Sequence, residues 1–221
     1  MTIQENLKEL RKNIPAGCTL IAVSKTLPLE KIQEAYASGQ RVFGENRAQE
    51  LASKYEAFPK DIAWHMIGHL QTNKVKYIAP FVRLIQSVDS LRLLEEINRQ
   101  ALKLKRVISC LLQIHIAEEE TKFGFSSDEA SELVSSAPWT DLRNIQVKGL
   151  MGMATFTENS QQVRKEFRNL KGLFEKLKSQ RLPAPVAMEE LSMGMSNDYR
   201  IAIEEGSTMV RVGTAIFGHR Q

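Results

Sequence analysis

The sequence predicts a closed, parallel (β/α)8 barrel with one additional helix at its N-terminus. Three observations carry this expectation. Eight short, β-branched apolar runs recur along the chain, amphipathic segments of helical period separate them, and no Pro/Ser/Gly linker or low-complexity stretch interrupts the alternation. Strands buried on both sides read as nearly continuous apolar runs, and eight such strand–helix units favour a parallel barrel over an open sheet. The 221 residues, 43% hydrophobic and 25% charged, suffice for one sizeable core and are read as a single domain over 1–221, near the low end of length for this fold.

The opening segment MTIQENLKELRK is charged and helical in period, unlike the apolar core of a secretory signal, and is read as a helix over 2–13. The strand candidates follow: TLIAVSK (19–25), RVFGE (41–45), IAWHMIG (62–68), VRLIQSV (82–88), VISCLLQIHI (107–116), IQVKGLM (145–151), MEELSMG (188–194) and TMVRVG (208–213). Between them, Ser126 followed by Glu129 marks a capping box. Over 160–180, Val163, Phe167, Leu170, Phe174 and Leu177 recur at helical spacing. After the eighth run only TAIFGHRQ remains, too short for a full closing helix. The helix of 2–13 is therefore expected to fill the vacant place in the outer ring of a TIM-type barrel, so that its deletion would destabilise the fold. An open, doubly wound sheet is the other candidate, but it would need a glycine-rich phosphate turn after the first strand, where this chain has VSKTLP.

Composition excludes several classes. The 30 basic and 26 acidic residues are interleaved, and a net charge of +4 is too slight to imply a nucleic-acid partner. The basic cluster Arg99, Lys103, Lys105 and Arg106 falls where a helix ends, a place that favours cations without any ligand. No apolar run approaches the roughly 18 residues needed to cross a bilayer, so a cytoplasmic protein is expected. Cys18 and Cys110 lie far apart beside or within apolar stretches and read as reduced, packed thiols. His65 and His69, in HMIGH, lie on or beside a predicted strand and lack the glutamate of the helical zinc motif, so no metal is expected.

In such barrels the active site is built at the C-terminal ends of the strands, with phosphate often held after strands seven and eight. Lys25 ends the first run, at the mouth of a low-dielectric interior. Desolvation favours a neutral amine, and only the neutral amine has the lone pair for Schiff-base chemistry with an aldehyde. The alternative is a lysine that snorkels to solvent. Lys74 and Lys122 are rivals in more polar surroundings. In SMGMSNDYR a glycine frees the backbone and Ser196 stands where the N-cap of the next helix is expected, forming a phosphate cradle or an ordinary capped helix. In TMVRVGTAIFG, alternation sets Val210 and Val212 opposite Arg211 and Gly213. With the valines toward the helices, Arg211 points into the barrel near its mouth, and Gly213 and Thr214 offer an amide and a hydroxyl to the same phosphate. The alternative for Arg211 is a salt bridge to Glu189 or Glu190.

A strand-one lysine, a phosphate cradle and a strand-eight arginine together describe a pyridoxal 5′-phosphate (PLP) site. The stretches LIAVSKTLP, FGENRAQEL, WHMIGHLQTNKVKYIA, SVDSLRLLEEIN, EEETKFGF, GLMGMATFTEN and LSMGMSNDYRIAIEEGSTMVRVGTAIFG closely resemble those of the pyridoxal phosphate homeostasis proteins. These are similar to the isolated N-terminal barrel of alanine racemase. The resemblance runs from near residue 20 to 218. It implies that Lys25 forms the internal aldimine, that Asn46 lies near the ring, that Ser196, Gly213 and Thr214 hold the phosphate, and that Arg211 approaches the pyridine nitrogen or the phosphate. An arginine at the ring nitrogen disfavours its protonation and leaves a weaker electron sink than an aspartate would. The chain departs from many relatives in carrying His115 where they have asparagine, and no role is assigned to it.

The resemblance implies a PLP-binding protein of vitamin B6 and amino/keto-acid homeostasis, without its own catalytic turnover, monomeric, with apo-enzymes as candidate recipients. A PLP-dependent racemase is an alternative, but it would need a second acid–base group, such as a tyrosine from another domain, facing Lys25 across the substrate. A non-covalent phosphosugar-processing barrel would use Ser196 and Arg211 but leave Lys25 without a partner.

Overall fold

The structure, a computed structural model, describes residues 1–117 and 123–218. Lys122 and most of the EEETKFGF stretch lie outside the described residues. Each of the eight apolar runs forms a strand: β1 (Thr19–Val23), β2 (Val42–Glu45), β3 (Ala63–Met66), β4 (Leu84–Val88), β5 (Ile108–Ile114), β6 (Ile145–Gly152), β7 (Val186–Ser192) and β8 (Met209–Val212). They pair in parallel in chain order, and β8 closes on β1 with Ile21 opposite Arg211. Several strands stop short of the runs that predicted them. Lys25 and the Met193–Gly194 pair thus lie just past the ends of β1 and β7, at the rim where the site is built.

The helices are α1 (Ile3–Asn13), α2 (Leu29–Ala37), α3 (Ala48–Ala57), α4 (Val75–Ile78), α5 (Leu91–Lys103), α6 (Ser127–Ser136), α7 (Ser160–Lys178), α8 (Tyr199–Glu204) and α9 (Thr214–Phe217). Ser126 and Glu129 form the expected capping box at α6, and α7 buries all five of its periodic apolar residues. As expected, α1 takes the place in the ring that the one-turn α9 cannot fill. It buries Ile3, Leu7 and Leu10, packs against α2 and α9, and its Asn6 amide donates to the Ile216 carbonyl at 2.8 Å.

Period-two alternation divides the core into two layers. Ala22, Phe43, Trp64, Ile85, Leu112, Leu150 and Val210 pack outward against the helices, whereas Ile21, Leu84, Leu111, Met151 and Met209 fill the barrel interior. The interior is not wholly apolar. By the same alternation and register it also takes in the buried polar residues His65, Gln86, Gln113, Ser192 and Arg211.

Cys18 and Cys110 are free, buried thiols, and burial together with the nearby Glu190 charge pushes Cys18 up to about 11. Of the basic cluster, Arg99 pairs with Glu96, and Arg106 donates to the Ala79 and Val82 carbonyls. No helix among the described residues is long and apolar enough to cross a membrane.

Candidate functional site

A cavity of about 1030 Å³ opens at the C-terminal end of the barrel, and Lys25, Asn46, Ser196, Arg211, Gly213 and Thr214 all line it. The structure therefore brings every expected site residue to one place, from β1, β2, β7 and β8. Lys74 is not part of the lining; its ammonium sits 5.6 Å from the Tyr77 ring centre.

Lys25 continues the inward series of Ile21 and Val23 into the turn closed by the Leu27 amide on the Ser24 carbonyl at 3.2 Å. Thr26 holds a left-handed φ of 59°, which a non-glycine residue adopts only when its surroundings compel it. Those surroundings are a buried ionic cluster. The Lys54 ammonium donates to the Ser24 carbonyl, Glu45 Oε1 and Glu50 Oε1, each at 2.7 Å. Ser24 Oγ donates to Glu45 at 2.6 Å, and the Thr26 amide donates to Glu50 at 2.5 Å. Both residues flanking Lys25 are thus tied to one ammonium. Burial pushes the Glu45 carboxyl up against the pull of Lys54, while for Glu50 the bonds from Lys54 and Thr26 outweigh burial and hold it down.

Asn46 follows β2 and is held by the close approach of Gly68, where a Cβ would stand 2.5 Å from the Asn46 carbonyl oxygen. Only glycine fits there.

On the opposite wall, Gly194 turns the chain out of β7 with φ +93°, and a Cβ there would lie 2.5 Å from that of Ala202. The expectation that Ser196 caps the next helix is corrected. The chain makes a further turn, with the Asp198 and Tyr199 amides on the Met195 carbonyl, so that α8 starts at Tyr199 and Asp198 takes the cap position. Ser196 faces β8 instead: its Oγ accepts from the Gly213 amide at 3.2 Å and the Ala215 amide at 3.4 Å. The hydroxyl and the two amides thus meet at one point of the cavity wall, by a route other than capping of α8. Asp198 accepts from the Met195 amide, and burial pushes its carboxyl up.

Arg211 points inward as alternation required. Its Nη1 donates to Ser192 Oγ at 2.5 Å and its Nη2 to the Gly152 carbonyl at 2.8 Å, and burial lowers the guanidinium to about 10 against the pull of Asp198. The salt-bridge alternative is not what forms. Glu189 pairs with Lys148, and Glu190 accepts from Thr208 Oγ1.

Sequence reasoning missed Glu45, Lys54, Gln86 and Ser192. The polar residues Gln86 and Ser192 within apolar runs were a legible signal; the Lys54 partnership was not. His65 and His69, adjacent in the HMIGH motif, part company. His65 is buried beside Gln86, whereas His69 pairs with Asp89 at 2.9 Å and stacks on Phe123.

This donor set fits PLP: a lysine amine for its aldehyde, a hydroxyl with two convergent amides for its phosphate, and a guanidinium for an acceptor on its ring.

Comparison with known proteins agrees. The family model described as alanine racemase, N-terminal domain, matches residues 1–221. The pyridoxal phosphate homeostasis protein of Aquifex aeolicus (strain VF5) is 44% identical over 203 residues, covering 91% of this chain and 87% of that protein. The Homo sapiens protein of the same name is 36% identical over 230 residues, covering 99% and 82%. Among solved structures, PipY of Synechococcus elongatus PCC7942 without PLP superposes with a TM-score of 0.90 at 37% identity, covering 98% of this chain and 100% of that one. PipY with PLP bound gives 0.86 at 36% identity over the same shares. Alanine racemase of Clostridium difficile 630 shares the fold, with a TM-score of 0.77 at 17% identity, this chain covering 56% of it and 99% of this chain being matched. On its matched length and on the identity to these relatives, the chain belongs to the family of pyridoxal phosphate homeostasis proteins, built on the alanine racemase N-terminal domain.

Proposed function

We propose that the protein binds PLP reversibly through Lys25 and serves vitamin B6 and amino/keto-acid homeostasis as a monomeric cytoplasmic carrier, without catalytic turnover of its own. The convergence of Lys25, Arg211 and the Ser196–Gly213–Thr214 cradle in one cavity carries this reading. The names of the relatives and the PLP-bound PipY structure support it. When bound, the cofactor supplies an aldehyde that condenses with an amine and a conjugated ring that takes up electron density.

The residues of this chain hold and orient it. Lys25 offers the amine from a turn clamped on both sides. Ser196, Gly213 and Thr214 would receive the phosphate, and Asn46 would hold the ring. Arg211 would set its positive charge beside the ring nitrogen or the phosphate; beside the nitrogen it would disfavour protonation there, which weakens support for carbanion chemistry. The mouth is open to water: Lys25 is only half-buried and Phe156 on the rim is 82% exposed. Water access suits reversible loading better than the dry, preorganised environment of a racemase.

Borohydride reduction of PLP-loaded protein, followed by intact mass and peptide mapping, tests the reading. One pyridoxyl phosphate on Lys25 is expected. No adduct after incubation with added PLP would overturn it in favour of a non-covalent phosphate-binding barrel. A racemization assay on the same sample should show no turnover.

A further inference from the structure

A chain of four buried side chains crosses the barrel interior from β8 to β3. Arg211 Nη1 donates to Ser192 Oγ at 2.5 Å, Ser192 Oγ donates to Gln86 Oε1 at 2.7 Å, and Gln86 Nε2 donates to His65 Nδ1 at 3.0 Å. Ser192 and Gln86 are 0% exposed, Arg211 4% and His65 5%.

The direction of every bond is dictated from the arginine end. A guanidinium only donates, so Ser192 accepts and commits its single proton to Gln86. That turns the Gln86 oxygen toward Ser192 and its amide nitrogen toward His65. His65 must then present a bare Nδ1 and carry its proton on Nε2, which requires a neutral ring. Burial, assisted by the Arg83 charge, supplies that state by pushing His65 down to about 3. Inverting any one link would set two donors or two acceptors face to face among side chains that are almost wholly buried.

Ile21, Leu84, Leu111, Met151 and Met209 pack in the same interior at no such desolvation cost, so packing alone does not call for this polar chain. Its one end that reaches the cavity is Arg211. There Nη1 is held by Ser192 and Nη2 by the Gly152 carbonyl, and because guanidinium N–H bonds lie in the plane of the group, the two bonds together restrain its orientation.

We propose that Ser192, Gln86 and His65 are positioning residues that aim the Arg211 guanidinium at the bound cofactor. The inference rests on the reading of Lys25 and Arg211 as PLP-binding residues. A guanidinium released from Ser192 would swing toward the carboxylate of Asp198, which lines the same cavity, and the charge at the cofactor ring would move with it.

The test loads PLP onto the unaltered protein, Ser192→Ala, Gln86→Met and the conservative control Ser192→Thr. The readouts are the borohydride-trapped residue, the visible band of the lysine-linked chromophore across pH, and the rate of cofactor release. The adduct is expected on Lys25 in all four. Ser192→Ala and Gln86→Met should shift the pH midpoint of the band and release PLP about three- to tenfold faster, the effect of about one hydrogen bond. Ser192→Thr should match the unaltered protein, because it keeps the hydroxyl. A trapped Lys25 adduct with unchanged band and release rate in Ser192→Ala overturns the proposal, and this variant, which loses a single oxygen atom, decides the matter if Gln86→Met fails to fold. Absence of a Lys25 adduct in the unaltered protein overturns instead the cofactor reading on which the proposal rests.

Discussion

The ammonium of Lys54 lies 2.7 Å from the main-chain oxygen of Ser24, the residue immediately before Lys25. Because the same ammonium also binds Glu50, which in turn accepts from the Thr26 amide, a single side chain on α3 restrains the backbone on both sides of Lys25. Lys54→Met would leave the Glu45 carboxylate and the Ser24 carbonyl buried without their cation. A loss of about 3–5 kcal/mol in urea unfolding is expected. At concentrations of urea where the variant stays folded, PLP should add to Lys25 more slowly. An unchanged rate of adduct formation would show that the clamp serves stability alone.

Gly68→Ala should act on Asn46 from behind. The new Cβ would meet the Asn46 carbonyl at 2.5 Å and its Cα at 2.7 Å, so one of the two backbones must move. A loss of about 1–3 kcal/mol in stability and a weaker hold on PLP are expected, measured by thermal melting and by equilibrium dialysis.

Ser196→Ala removes the acceptor shared by the Gly213 and Ala215 amides. Affinity for PLP should fall about tenfold, while affinity for pyridoxal, which lacks the phosphate, should not change. Equal losses for both ligands would place Ser196 away from the phosphate. Arg211→Ala should likewise speed release of PLP while leaving far-ultraviolet circular dichroism unaltered.

Stability should depend on pH through His65. Its folded value near 3 lies below the ordinary 6.5, so between these limits the unfolded chain binds a proton that the folded one does not. The contribution is therefore fully present above pH 6.5 and is lost as pH falls toward 3, with a slope of roughly 1 kcal/mol per pH unit. His65→Asn keeps an acceptor near the Nδ1 position and cannot titrate. Its unfolding free energy should fall less steeply between pH 6 and 4 than that of the unaltered protein.

Deletion of residues 1–13 would remove the buried Ile3, Leu7 and Leu10 together with the bond from Asn6 to Ile216. A loss on the order of 5 kcal/mol is expected from the apolar area alone. A truncated chain that melted at the unaltered temperature would mean that α1 is not a working part of the outer ring.

The eight strands, the amphipathic helices and the inward direction of Lys25 and Arg211 were legible in the sequence. Each follows from a period of two or 3.6 residues, which backbone geometry imposes locally whatever the rest of the chain does. Knowing that Ile21 faces in is enough to send Val23 and then Lys25 the same way. The tertiary structure alone decided what these side chains meet. Ser192 bonds Gln86 across 106 positions of sequence, Lys54 reaches Ser24 across 30, and Ser196 turned from a helix cap into the acceptor of amides 17 and 19 residues away. Such partners are chosen when the strands assemble into the barrel, which brings the ends of separate strands to a common rim and leaves each buried polar group only the neighbours that assembly supplies.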